Sequence, residues 1–236
     1  MLTEEDLKNS LIDEIGREPL LQSKVKSMFD LQDKLNTLIH PEWQSQEHWD
    51  FQRAIMVELS ELMDHYGYKW WKAQSPNIEQ CQLEVIDIAH FLISHLQQTE
   101  YNPKDTLSTF YAVGDFSEAI LPMEIEKTPE NIRALIDFCI GLASEKNFNA
   151  KALSALMVMF DISPHELCDK YILKNTLNIF RASNGYKQGT YVKVWNGKED
   201  NEVLMDIFKK NQGTDNDLAK TLYIELEKEY KRINED

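Results

Sequence analysis

The stretch that most limits how this chain can fold is "SPNIEQCQLEVIDIAHFLISHLQQ", residues 75–98. Its apolar residues recur at helical spacing and cover an almost wholly apolar face, so this helix belongs deep in a helical core. Glu84 and Asp87 nevertheless sit inside the run, among Val85, Ile86, Ile88 and Ala89. A carboxylate in such surroundings is costly to desolvate unless something compensates it. The remaining sequence supplies the helices needed to bury this one. Only 8 Gly and 7 Pro interrupt 236 residues, and 28% of the chain is charged, as long amphipathic helices require. The expected fold class is all-α.

The helical pattern recurs along the chain. Val25, Met28, Leu31, Leu35 and Leu38 predict a helix over 20–39, ended by His40 and Pro41. Phe51, Ile55, Leu59 and Leu62 predict another over 47–65, stopped by Gly67. Shorter helices are expected near 103–121, 128–145 and 149–159, and a further one from Ser163-Pro164 to about Gly185. "GYKQGTYVKVWNG" reads as loop or a short extended ribbon, followed by helices near 199–211 and 215–233. With 42% hydrophobic residues, the chain can bury the core of one domain over 1–236. That domain is expected to comprise a rigid carboxylate-bearing helical core, about 20–100 plus part of the C-terminal half, and a second, mobile helical portion.

A net charge of −15 disfavours non-specific binding to nucleic acid or to anionic membrane surfaces. No apolar run reaches the roughly 18 residues of a spanning helix. Cys81, Cys139 and Cys168 lie within helical patterns and suit reduced thiols. With the acidic, polar start of the sequence, this predicts a cytoplasmic protein.

Glu58 and Glu61 stand at i and i+3 on one predicted helix, and Glu84 and Asp87 repeat the spacing on the next. Antiparallel packing of the two would bring four carboxylates to one level. Such a group repels itself, and a divalent ion relieves the repulsion; ligation by oxygen alone favours Mg²⁺ or Mn²⁺ over zinc. The bland alternative, a solvated helix face, suits either pair alone. A basic island follows in 169–198, where six lysines and arginines face a single acid. Lys174, Asn178 and Arg181 share one helix face there, with Tyr186 and Lys187 just beyond its end. That set suits a polyphosphate, or else a solubilising surface.

Four blocks together resemble the dimeric all-α dUTPase family, a branch of the all-α nucleotide pyrophosphohydrolases: "LQDKLN", "ELSELMDHYGYKWWK", "EVIDIAHF" and "KNTLNIFRASNGYKQGTYVKVWNGKEDNEV". The resemblance implies hydrolysis of dUTP, and of dUDP, to dUMP by water attacking near the β-phosphorus. Glu58, Glu61, Glu84 and Asp87 would hold Mg²⁺, with Mn²⁺ as a substitute, and Glu58 or Glu61 would activate the water. Lys174, Arg181, Tyr186 and Lys187 would contact phosphates. Gln32 and Asn36 would meet the uracil edge, Trp70 would pack on the base, and His90 and Asn178 would lie by the base or sugar. The family further implies a homodimer.

By themselves Gln32 and Asn36 look like ordinary surface residues, and His90 like a core histidine. Trp71 is expected in the core, and Trp195 beneath its own loop. Asp200 and Asn201 either order that loop or approach phosphates. Two other functions fit part of the pattern: a dCTP or broader house-cleaning pyrophosphatase, and a non-catalytic helical interaction protein.

Overall fold

The computed structural model describes residues 19–99, 126–211 and 218–235. Eight α-helices, a 3₁₀ turn at Trp43–Ser45 and one two-stranded ribbon account for the regular structure among them. In chain order the helices and strands are α1 (Pro19–Ile39), α2 (Phe51–Tyr66), α3 (Ile78–Thr99), α4 (Pro129–Ser144), α5 (Ala150–Met159), α6 (Pro164–Ser183), β1 (Val194–Trp195), β2 (Lys198–Glu199), α7 (Asp200–Asn211) and α8 (Leu218–Glu235). The all-α expectation holds; the first strand of the ribbon falls in the Gly-bearing segment and the second follows directly after it. The helix expected near 103–121 lies outside the described residues. None of the described helices is long and apolar enough to cross a membrane.

Local signals explain most helix ends. Asp50 caps α2 by accepting from Arg53 N, and Gly67 closes it at φ 95°, where a side chain would be strained. Thr128 and Asn149 cap α4 and α5. At α6, Ser163 Oγ accepts from Glu166 N at 3.2 Å and Pro164 takes the first helical position, as the Ser-Pro signal predicts. At α3 the same signal misplaces the start. Asn77 accepts from Gln80 N at 3.2 Å, so the helix begins at Ile78 rather than beside Ser75.

The chain divides into two compact units, with Gln44–Leu167 in the first and Ser23–Trp43 plus the part from Cys168 onward in the second. In the first unit α2 and α3 run antiparallel. Contacts proceed from His65 O with Asn77 N, through Leu62 O beside Cys81 Sγ, to Glu58 beside Asp87. Ile55, Leu59 and Leu62 on α2 meet a fully buried face of α3 that includes Val85, Ile88 and Leu92. Gln52 works as a surrogate strand partner here: its amide donates to Phe148 O and accepts from Phe148 N.

The second unit has its own core of Leu173, Leu177, Phe180, Trp195, Leu204, Ile207, Leu222 and Leu226. Phe180 lies at the centre of an aromatic cluster, edge-on to Tyr191, Trp195, Tyr223 and Tyr230. Trp195 is buried there, as expected, and its Nε1 donates to Val192 O. All three cysteines are free and buried. Burial pushes the Cys81 thiol up to about 11, and those of Cys139 and Cys168 up to about 12.

Candidate active site

Glu58 comes from the middle of α2, while Glu84 and Asp87 come from the facing turns of α3. One carboxylate oxygen from each lies within 4.8 Å of the others. The helices place them there for packing reasons, since burying the apolar faces of α2 and α3 brings the polar seam beside them together. Glu84 is buried, and Glu58 and Asp87 are partly so. Desolvation by burial, then the charges of Asp87, Glu84 and Glu61 and a hydrogen bond with Glu84, pushes Glu58 up to about 7. A hydrogen bond between two carboxyl groups requires that one of them keep a proton. The cluster thus takes up protons where no cation is supplied.

Those observations test whether the residues fit a metal ion, and they do. The donors are all carboxylate oxygens, they converge from two helices, and their mutual repulsion is what a divalent cation relieves. The structure brings together three of the four acids expected. Glu61 is exposed and stands outside the trio, though its charge still acts on Glu58.

Two histidines flank the trio. His65 Nε2 lies 3.4 Å from Glu84 Oε1. His90 is buried, as the core alternative required, with Nδ1 2.8 Å from Ile86 O and 3.9 Å from Asp87 Oδ1. A carbonyl only accepts, so Nδ1 carries the hydrogen in that bond. His65 is not among the residues that the sequence patterns single out. Its only signal was its place seven residues after Glu58 on the same helix face.

The tryptophans follow a different pattern from the one expected. Trp70 is 91% exposed, and Trp71 is 60% exposed rather than in the core. The reason lies in Gly67, which ends the helical period, so that Tyr66 is the last aromatic turned inward. Beyond it Trp70, Trp71 and Tyr68 pack edge-to-face on one another at 5.5 and 5.9 Å.

The second unit holds the other candidate residues. Gln32 and Asn36 are buried, each at 4% exposure, which corrects their reading as surface residues. Gln32 Nε2 donates to Asn36 Oδ1 at 3.2 Å, and its Oε1 accepts from Tyr171 and Asn175, both at 2.7 Å. Lys174, Asn178 and Arg181 all lie half-buried on α6. Tyr186 and Lys187 are exposed just past its end, with the Arg181 guanidinium 5.9 Å from the Tyr186 ring centroid.

Arg181 is already engaged. Nε and Nη2 make a bidentate pair with Asp200, each bond 2.7 Å, and Asp200 is fully buried. Tyr191 donates to the same carboxylate at 2.8 Å and Asn201 N at 2.9 Å. Burial alone would raise the Asp200 carboxyl. The hydrogen bonds from Arg181 and Tyr191 outweigh it and hold the group below its ordinary value. Asp200 therefore orders its loop from within the protein. Other members of the basic island are also paired, Lys198 with Asp206 at 2.7 Å and Lys193 with Glu199 at 3.3 Å.

A family model described as dUTPase matches residues 24–186. Among curated proteins no match is found. The matched span contains both carboxylate pairs, the amides of α1 and the helix that carries Lys174 and Arg181.

Proposed function

The chain belongs to the all-α dUTPase family and is a dUTP diphosphatase; we propose that it splits dUTP into dUMP and pyrophosphate, and dUDP into dUMP and phosphate, with Mg²⁺. The observation that carries this reading is the convergence of Glu58, Glu84 and Asp87 within a family-matched span. Those three, with Glu61 beside them, are the residues that would hold the ion, and Mn²⁺ suits the same oxygen donors. When bound, the ion supplies charge neutralisation for the phosphate chain and lowers the pKa of a coordinated water.

The remaining work falls to the protein. Glu58 takes the proton of the attacking water at its carboxylate. Lys174, Arg181, Tyr186 and Lys187 bind phosphate oxygens, the lysines as point charges and Arg181 through the N–H groups that Asp200 leaves over. Gln32 and Asn36 read the uracil edge with amide donors and acceptors. Trp70, exposed and flanked by Trp71, offers a flat surface for the base, and His90 and Asn178 are assigned to the base or sugar. The working form is a homodimer, as in the family's dimeric branch. Three buried free thiols support a reducing compartment such as the cytoplasm.

The test is nucleoside monophosphate formation from a panel of dUTP, dUDP, dCTP, dTTP and dATP with Mg²⁺ titrated from zero, with pyrophosphate as the co-product of the triphosphates and phosphate that of dUDP. Turnover should require the metal and favour the uracil nucleotides. Equal turnover of dCTP would replace this reading by a broader house-cleaning pyrophosphatase. Turnover that survives complete chelation would remove the acids from the chemistry.

A further inference from the structure

An amide can be seated two ways, and its buried partners decide which end faces outward. Gln32 has its oxygen turned inward against α6. Oε1 accepts from the Tyr171 hydroxyl and from Asn175 Nδ2, both at 2.7 Å, which uses both of its lone pairs. Nε2 spends one hydrogen on Asn36 Oδ1 at 3.2 Å and retains a second. Tyr171 and Asn175 stand at i and i+4 on α6 and are fully buried, so neither is a surface residue turned in by accident. Asn175 Oδ1 is itself buried without a hydrogen-bond partner, a cost accepted while its nitrogen is committed to Gln32. Burial holds the Tyr171 hydroxyl well above its ordinary pKa, so it is present as a donor at any physiological pH.

We propose that Tyr171 and Asn175 are positioning residues for base selection: they lock the Gln32 amide with its nitrogen outward, so that Gln32 only donates. This rests on the reading above in which Gln32 meets the base edge. A donor there matches the O4 acceptor of uracil. Cytosine carries an amino group at the same place, and two donors then face one another. Base choice is thus set by what stands behind Gln32 as much as by Gln32 itself.

The measurement is the ratio of kcat/KM for dUTP over dCTP in the full chain. Asn175→Asp replaces the inward donor with an acceptor, so Gln32 must turn its nitrogen inward and present oxygen; the ratio should fall on the order of tenfold to a hundredfold. Tyr171→Phe removes one of two donors without adding charge, and the ratio should fall roughly threefold to tenfold. It decides the matter if the aspartate variant does not fold. Looser packing would lower both nucleotides alike and leave the ratio unchanged. Gln32→Ala separates the two levels of argument. If it leaves the ratio at the wild-type value, Gln32 does not read the base and the underlying reading fails with the proposal. If it collapses the ratio while both α6 variants keep it, Gln32 reads the base unaided and the proposal alone is overturned.

Discussion

In the first unit three carboxylates stand together and one of them, Glu58, holds a proton near neutrality. In the second a single carboxylate, Asp200, is fully buried yet held below its ordinary pKa, because Arg181, Tyr191 and a backbone N–H all reach it. The same chemical group thus behaves in opposite ways within one chain. Burial raises the pKa of both, and the partners decide the outcome. Asp200 is satisfied internally and serves architecture. In the trio the nearest charges to Glu58 are other carboxylates, which raise it further, as expected of a site that works on an added cation.

The largest effect should come from removing an acid of the trio. Glu58→Gln keeps the shape of the side chain, and kcat should drop on the order of 10²- to 10⁴-fold with little loss of thermal stability. Near-normal pyrophosphate release in that variant would end the distinction drawn between the two carboxylate settings. Asp200→Ala attacks the other side. Breaking a buried pair leaves Arg181 without its partner and should cost about 3 kcal/mol in denaturant unfolding, at the lower end of such losses because Arg181 can rehydrate.

The pH dependence sharpens the comparison further. Glu58 titrates near 4.5 in the unfolded chain and about 7 in the metal-free folded one. Between those values the native state binds a proton that the unfolded state has released, so stability declines as pH rises through the window. Thermal melts of the metal-free protein should show that decline. Glu58→Gln should flatten it, and saturating Mg²⁺ should oppose it by binding the ionised form. A metal-free Tm that rises over the window instead would contradict the crowding of the trio. The smallest effect is expected at Trp70→Ala. So exposed a ring should change stability by less than about 0.5 kcal/mol, while KM for dUTP rises if the ring packs on the base.

Much of the fold was legible because periodicity is a local property. The pattern through Val25, Met28 and Leu31 needs no knowledge of the rest of the chain, and the helix it predicts ends at Ile39 as expected. The carboxylate pairs were legible for the same reason, since i, i+3 spacing on two consecutive helices is visible without tertiary structure. What escaped the sequence depends on distant partners. Gln32 looks like a surface amide until Tyr171, 139 residues later, donates to it. Arg181 looks like an unengaged cation until Asp200 folds back onto it. The exposure of Trp71 is hidden in the sequence for another reason: adjacency to Trp70 carries no directional information once Gly67 has ended the helix.

The three cysteines have a practical consequence. Each thiol is packed away and raised far above neutral pH, so a thiol-reactive chromophore will find almost nothing to modify in the native protein. Modification then times the opening events that expose each sulfur. Cys81 and Cys139 belong to one unit and Cys168 to the other, so peptide mapping of the labelled chain would clock the two halves separately, with no engineered reporter.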